Sequence, residues 1–224
     1  MFTDNLKKWG VHMKTIITIG RQAGSGGREI GENLAAALGI KCYDRELLER
    51  AAKDSGFCEE IFENHDEKPT KSFLYSLIMD THSYGYPSSA FSDMPLNHKV
   101  FLAQFNSIKK LAEEGSCVIV GRCADYALEE NENCLSIFIN APIDDRVARV
   151  SKIRDMSPAK TKDMLLKTDK QRASYYNYYT NKKWGDAVSY DICINSSLLG
   201  IDGTVEMIKA IVEARESKNN GIRI

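Results

Sequence analysis

Residues 20–30 read Gly-Arg-Gln-Ala-Gly-Ser-Gly-Gly-Arg-Glu-Ile, with Gly24, Ser25, Gly26 and Gly27 in a row between Arg21 and Arg28. A β-branched run, Thr-Ile-Ile-Thr-Ile at 15–19, precedes them, and Ile30, Leu34, Ala37 and Leu38 follow at helical spacing. The turn therefore sits between a strand and a helix. There, adjacent glycines let backbone N–H groups converge on a phosphate, and the helix N-terminus adds partial positive charge. Arg21 and Arg28 can supply bidentate anion contacts beside it. The chemistry indicated is phosphate binding. The plainer alternative is a tight turn whose glycines only permit close packing.

The full phosphate-loop signature is G-x-x-x-x-G-K-S/T, in which the lysine reaches the outer phosphates and the hydroxyl holds magnesium. With Gly26 as the second glycine, Arg21 stands at the first glycine, Gly27 at the lysine and Arg28 at the hydroxyl position. Starting from Gly20 puts Ser25 at the second glycine instead. Neither register supplies the lysine, and Ser25 is the only hydroxyl on the loop.

Other side chains could complete such a site. Asp44 ends a short apolar stretch at 40–43, where a carboxylate can cap the next helix, bind magnesium or accept a proton. Gly121 and Arg122 follow the apolar run 117–120, which puts Arg122 at the carboxyl edge of a sheet. Arg146, Arg149, Arg154 and Arg172 lie on later helical segments and could neutralise charge on a moving phosphoryl group. The alternative is a solvated helix face, with Asp145 and Asp169 as partners of Arg149 and Arg172. Lys182 and Lys183 beside Trp184 either clamp a phosphate or end that helical stretch.

The elements that must hold these residues alternate. Runs at 117–120 and 135–139 are continuously apolar, as in strands buried on both faces, and 192–194 is a shorter example. Helical patterns at 102–114, 123–128 and 204–216 intervene or follow, with a long polar helical segment at 144–179. The expected fold is α/β, a three-layer arrangement around a parallel sheet with right-handed crossovers and ligands at the carboxyl ends of the strands. Residues 56–98 and 151–186 exceed this minimum and are candidate covers over the ligand site. The second holds Tyr175, Tyr176, Tyr178 and Tyr179, which would also suit the interface of a homodimer.

The 224 residues suffice for one domain, with 14–217 as its body, 1–13 as a flexible extension and 218–224 as a tail. Thirty basic and 31 acidic residues leave a net charge of -1, which argues against a nucleic-acid or membrane-surface binder. The first residues show no apolar membrane run or cleavage site, so a cytoplasmic location is expected. The 6 cysteines have no metal-ligand spacing and read as small buried hydrophobes. His12, His65, His82 and His98 are expected at the surface.

The run Gly24-Ser25-Gly26-Gly27-Arg28-Glu29-Ile30, the segment Gly121-Arg122-Cys123-Ala124-Asp125-Tyr126 and the stretch Tyr178-Tyr179-Thr180-Asn181-Lys182-Lys183-Trp184-Gly185 together resemble the cytidylate kinase-like family of P-loop nucleoside monophosphate kinases. That resemblance implies five parallel strands, an acceptor-binding region at 56–98 and a lid at 151–186. It also implies magnesium and ATP as phosphoryl donor. The turn amides, with Arg21 and Arg28, would hold the donor phosphates, and Arg122, Asp44 and Arg45 the acceptor. Asp44 and Ser25 would ligate magnesium. Asn195 and Ser196, after the last strand, would meet the adenine ring or else cap a helix. The open alternatives are a nucleotide-binding sensor with weak or no transfer, and a kinase for another small metabolite.

Overall fold

The computed structural model describes residues 14–67 and 94–219. Expectations for 1–13, for His12 and His82, for most of the 56–98 region and for the end of the tail lie outside the described residues.

Five strands form one parallel sheet: β1 (Ile16–Arg21), β2 (Lys41–Tyr43), β3 (Cys117–Val120), β4 (Cys134–Asn140) and β5 (Ile192–Asn195), in the order β2-β3-β1-β4-β5. β1 is central because Ile16, Ile17, Thr18 and Ile19 are buried on both faces, which only a strand flanked and covered on each side can satisfy. Helix α1 (Gly27–Leu38) lays Ile30, Leu34 and Ala35 on one face, beside Val205, Ile208 and Val212 of α8 (Gly200–Asn219). Ile108 and Leu111 of α4 (Leu96–Glu114), with Ala124 and Ala127 of the short α5 (Ala124–Ala127), cover the other. Helices α2 (Glu46–Ser55) and α3 (Glu59–His65) follow β2.

Two helices, α6 (Ile143–Arg154) and α7 (Pro158–Thr180), replace the single polar segment expected between β4 and β5. Pro158 at the start of α7 sets the break. The tyrosines of α7 serve this chain's own core. Tyr175, Tyr176 and Tyr179 are buried against Phe101, Phe138 and Tyr190, with Phe101 and Tyr179 stacked at 4.1 Å between centroids. Three of the four tyrosines singled out for a homodimer interface are thus packed inside this chain, and Tyr178 is half-buried. His98 is likewise buried, its Nε2 3.2 Å from the Tyr178 hydroxyl, and burial lowers its pKa. Cys58 and Cys193 are exposed, against expectation, while Cys117 and Cys123 are buried. No helix among the described residues is long and apolar enough to cross a membrane.

Parallel pairing brings the ends of β1, β2 and β3 to one edge, since Ile19 is level with Val120 and Tyr43 with Ile119. Arg21, Asp44 and Arg122 therefore arrive together, as the strand-end rule requires.

Candidate functional site

After β1 the chain turns through Gly24 (φ 78) and Gly26 (φ 83), both left-handed, and enters α1 at Gly27. Only glycine adopts that backbone at little cost, so these two positions follow from the turn itself. The turn is braced from below and from the side. The Ser25 hydroxyl is buried, 2.9 Å from the Gln22 carbonyl and 3.2 Å from that of Ile139, and Ser196 Oγ donates to the Ser25 carbonyl at 2.6 Å. On the α7 side, Asp169 Oδ1 accepts from the Ala23 amide at 2.7 Å. Arg146 Nη1 reaches both the Ala23 carbonyl (3.1 Å) and Asp169 Oδ2 (2.6 Å).

Above the turn opens a cleft of about 620 Å³, lined by Gly24, Gly26, Gly27, Asp44 and five arginines: Arg21, Arg28, Arg149, Arg154 and Arg172. Arg28 is more than half exposed and pairs with Glu32 (2.8 Å) and Asp44 (3.3 Å), which line the same cleft. Arg149 pairs with Glu29 on α1, and Arg154 rests against Met164. A larger groove of about 920 Å³ runs along α2 and the outer edge of β2. It holds none of the loop residues, and its glutamates, among them Glu46, Glu49, Glu59 and Glu60, outnumber its cations Lys41, Arg50 and Lys53.

Next to the cleft lies a buried ion network. The backbone after β3 takes three left-handed residues in succession, Gly121 (φ 80), Arg122 (φ 55) and Cys123 (φ 55). Two of them are not glycine, a strain of about 1–3 kcal/mol each that persists where surrounding contacts over-determine it. Here they do. Arg122 grips Asp66 in a fork, Nε to Oδ1 and Nη2 to Oδ2 both at 3.0 Å, while Nη1 reaches Asp44 Oδ1 at 3.0 Å and the Val120 carbonyl at 3.1 Å. Glu67 lies between two further arginines, Oε1 2.7 Å from Arg21 Nη1 and Oε2 3.0 Å from Arg172 Nε, and the Arg122 amide is 3.4 Å from Oε1.

Charge states follow from this packing. Burial would raise the Glu67 pKa, but Arg21, Arg172 and Arg122 outweigh it and hold the carboxylate well below its ordinary range. For Asp66 burial wins over Arg122, and its pKa is raised. Burial would weaken the Arg122 cation, yet Asp66, Glu67 and Asp44 overcome this and raise its pKa. The Arg172 pKa is lowered by burial and by the neighbouring Arg21.

The structure thus brings Arg21, Gly24, Gly26, Gly27, Arg28, Asp44, Arg149, Arg154 and Arg172 to one cleft, with Arg122 behind it. Arg146 is buried and works on the loop backbone rather than in the cleft. Other residues singled out from the sequence fall elsewhere. Arg45 is exposed beside α2, and Asp44 does not cap that helix, since its carboxylate is held by Arg122 and Arg28. Lys182 pairs with Glu129 and Lys183 with Asp186. Asn195 Oδ1 accepts from the Ser197 amide, and Ser196 supports the loop, so both side chains serve local structure. The Ser25 hydroxyl faces main-chain carbonyls below the cleft, which turns it away from a metal on the phosphates. Sequence reasoning missed Asp66 and Glu67 and gave Asp169 a different partner. The one signal for Glu67 was an acidic pair, Asp66-Glu67, ending a helix.

A parallel sheet ordered 2-3-1-4-5, with a glycine turn after its central strand and arginines gathered over the turn, defines an α/β P-loop kinase fold. A family model, the cytidylate kinase-like family, matches residues 16–198, and the chain belongs to that family. It is 28% identical over 200 residues to the cytidylate kinase of Thermococcus kodakarensis, covering 88% of each chain. It is also 26% identical over 202 residues to that of Pyrococcus horikoshii, covering 89% of each. Among solved structures, an uncharacterized protein from Eubacterium ventriosum superposes with TM-score 0.67 at 31% identity, covering 89% of this chain and 98% of that one. Shikimate kinase from Bacteroides thetaiotaomicron shares the fold at TM-score 0.52 and 15% identity, with 89% and 98% covered.

Proposed function

We propose that the protein transfers the γ-phosphoryl group of ATP to a nucleoside monophosphate, with cytidylate the first candidate. The observation that supports this most is the convergence of the glycine turn, Arg21, Arg149, Arg154 and Arg172 on one cleft, with Arg122 buried behind it against Asp44. The kinship with cytidylate kinases that match over nearly 90% of this chain supports the choice of acceptor.

Phosphoryl transfer asks for positioning and charge neutralisation more than for covalent chemistry. Amides of 24–27 and the start of α1 receive the donor phosphates. Arg122 takes the phosphate of the acceptor, exchanging a carboxylate partner for it. Arg149, Arg154 and Arg172 neutralise charge on the group in flight, and Arg146, through Asp169 and the Ala23 carbonyl, keeps the turn in shape. Helix α7 would form the lid over this reaction and exclude water. Magnesium, carried on the ATP phosphates, would supply further charge neutralisation; Asp44, a carboxylate lining the cleft, fits as its protein ligand, whereas Ser25 does not.

A coupled assay of ADP formation across ribo- and deoxyribonucleoside monophosphates tests the reading. Cytidylate-dependent turnover is expected. ATP-induced thermal stabilisation without turnover on any monophosphate would favour the alternative supported by Gly27 at the lysine position, a nucleotide-binding regulatory module. Turnover on another phosphorylated metabolite alone would move the acceptor class.

A further inference from the structure

Arg21 and Gly27 occupy the two positions where the phosphate-loop signature has glycine and lysine, six residues apart. Gly27 is unlike the other loop glycines. Gly24 and Gly26 are left-handed, but Gly27 is absent from the positive-φ glycines and lies within the helical start of α1. Its backbone would accept any residue. What excludes a side chain there is Arg21: a Cβ added at Gly27 would lie 2.5 Å from Arg21 Cβ and 3.1 Å from Arg21 Cγ. Separations under 3 Å between such carbons force one group to move, and Cβ is fixed to the β1 backbone and cannot swing aside.

The far end of Arg21 completes the argument. Its side chain is 12% exposed and crosses the carboxyl edge of the sheet, passing over Gly121, where an added Cβ would strike Arg21 Nη1. The guanidinium ends between the loop and the Arg122 turn. There Arg21 and Arg172 share one carboxylate, that of Glu67, each holding a different oxygen. A cation pair that grips two oxygens of one trigonal anion is also suited to two oxygens of a phosphoryl group.

We infer that the loop's phosphate-binding cation has changed places: Arg21, at the end of β1, does what a lysine at 27 does in the signature, and Gly27 is the clearance that its stem requires. This rests on the phosphotransfer reading above and sharpens it. It assigns Arg21, rather than the more exposed Arg28, to the outer donor phosphates, and gives Gly27 a steric cause.

The test is a reciprocal exchange read by ATP affinity and by the melting temperature of the ligand-free protein, neither of which depends on an acceptor. Arg21→Gly should weaken ATP binding at least about tenfold, as loss of a charge-assisted phosphate contact does. Gly27→Lys alone should lower the melting temperature through the clash. In the Arg21→Gly background, where Glu67 has already lost a partner, adding Gly27→Lys should lower the melting temperature no further, and R21G/G27K should bind ATP within about threefold of the unaltered protein, an epistasis expected only of residues in contact. Arg21→Met, which keeps the stem and removes the charge, should lose affinity as Arg21→Gly does, and it serves if the double variant fails to fold. The inference is overturned if Arg21→Met binds ATP like the unaltered protein, or if a folded R21G/G27K binds no better than Arg21→Gly. Absence of turnover in the unaltered protein would bear on the phosphotransfer reading alone, because the affinity cycle can still close.

Discussion

Glu67 shows how much of this site depends on single buried charges. It lies between Arg21 and Arg172 with its side chain 16% exposed, so its removal leaves two guanidiniums facing each other without a counter-ion. Breaking a buried pair from one side costs about 3 kcal/mol or more, and Glu67→Gln should lower stability by roughly that amount near pH 7. The sign of the pH dependence follows from the depressed pKa. The stabilisation is fully present above the ordinary value of 4.5 and is lost as pH falls through the folded value below it. Asp66, with a raised pKa, has the opposite sign, and because the Glu67 charge is one cause of that rise, the variant lessens it and offsets part of the Glu67 effect. Urea unfolding of the two proteins should give a constant gap above about pH 5 that narrows in more acid solution. A gap that widens on acidification would contradict this account of Glu67. The residue was not legible in the sequence because its partners are 46 and 105 positions away, beyond any periodicity. Arg122 was legible, since an apolar run marks where its strand ends.

At the scale of elements, α7 carries more than its amphipathic pattern suggests. Its C-terminal half is fixed by aromatic packing on α4 and β4, and its middle touches the glycine turn through Asp169 and Arg172. Charged residues at helical spacing pointed to pairing within one helix, but Arg149 and Arg172 take partners on α1 and at Glu67, and Asp169 takes the loop amide. Local spacing licenses a pair without selecting it, and tertiary contact makes the selection. Asp169→Asn keeps an acceptor for the Ala23 amide and removes the charge that holds Arg146. Amide exchange at 23–27 and along the middle of α7 should then quicken, with the apparent affinity for ATP falling about threefold to tenfold, the usual effect of one charged hydrogen bond. Unchanged exchange at both places would show that α7 does not brace the turn. The same tertiary logic explains Ser25 and Ser196. Each looked available as a polar group beside a ligand site, and each instead donates to main-chain carbonyls, Ser25 to those of Gln22 and Ile139 and Ser196 to that of Ser25.

The whole molecule repeats the lesson in the other direction. Strand positions, the parallel sheet and the edge that carries the cleft were readable from apolar runs and glycine turns, because burial on both faces leaves little choice of residue. The order 2-3-1-4-5 was not, since it depends on crossover lengths and packing that no local window contains. That order is what places the glycine turn of β1 beside the Arg122 turn of β3, with α7 reaching the end of β1 through Arg172. A site so built should move a phosphoryl group directly between two bound molecules. ATP labelled with radioactive phosphorus at the γ position, incubated with magnesium, cytidylate and the protein, measures this most directly. The label is predicted in the β position of cytidine diphosphate. Label that remains in ATP, or that appears only as inorganic phosphate, would contradict it.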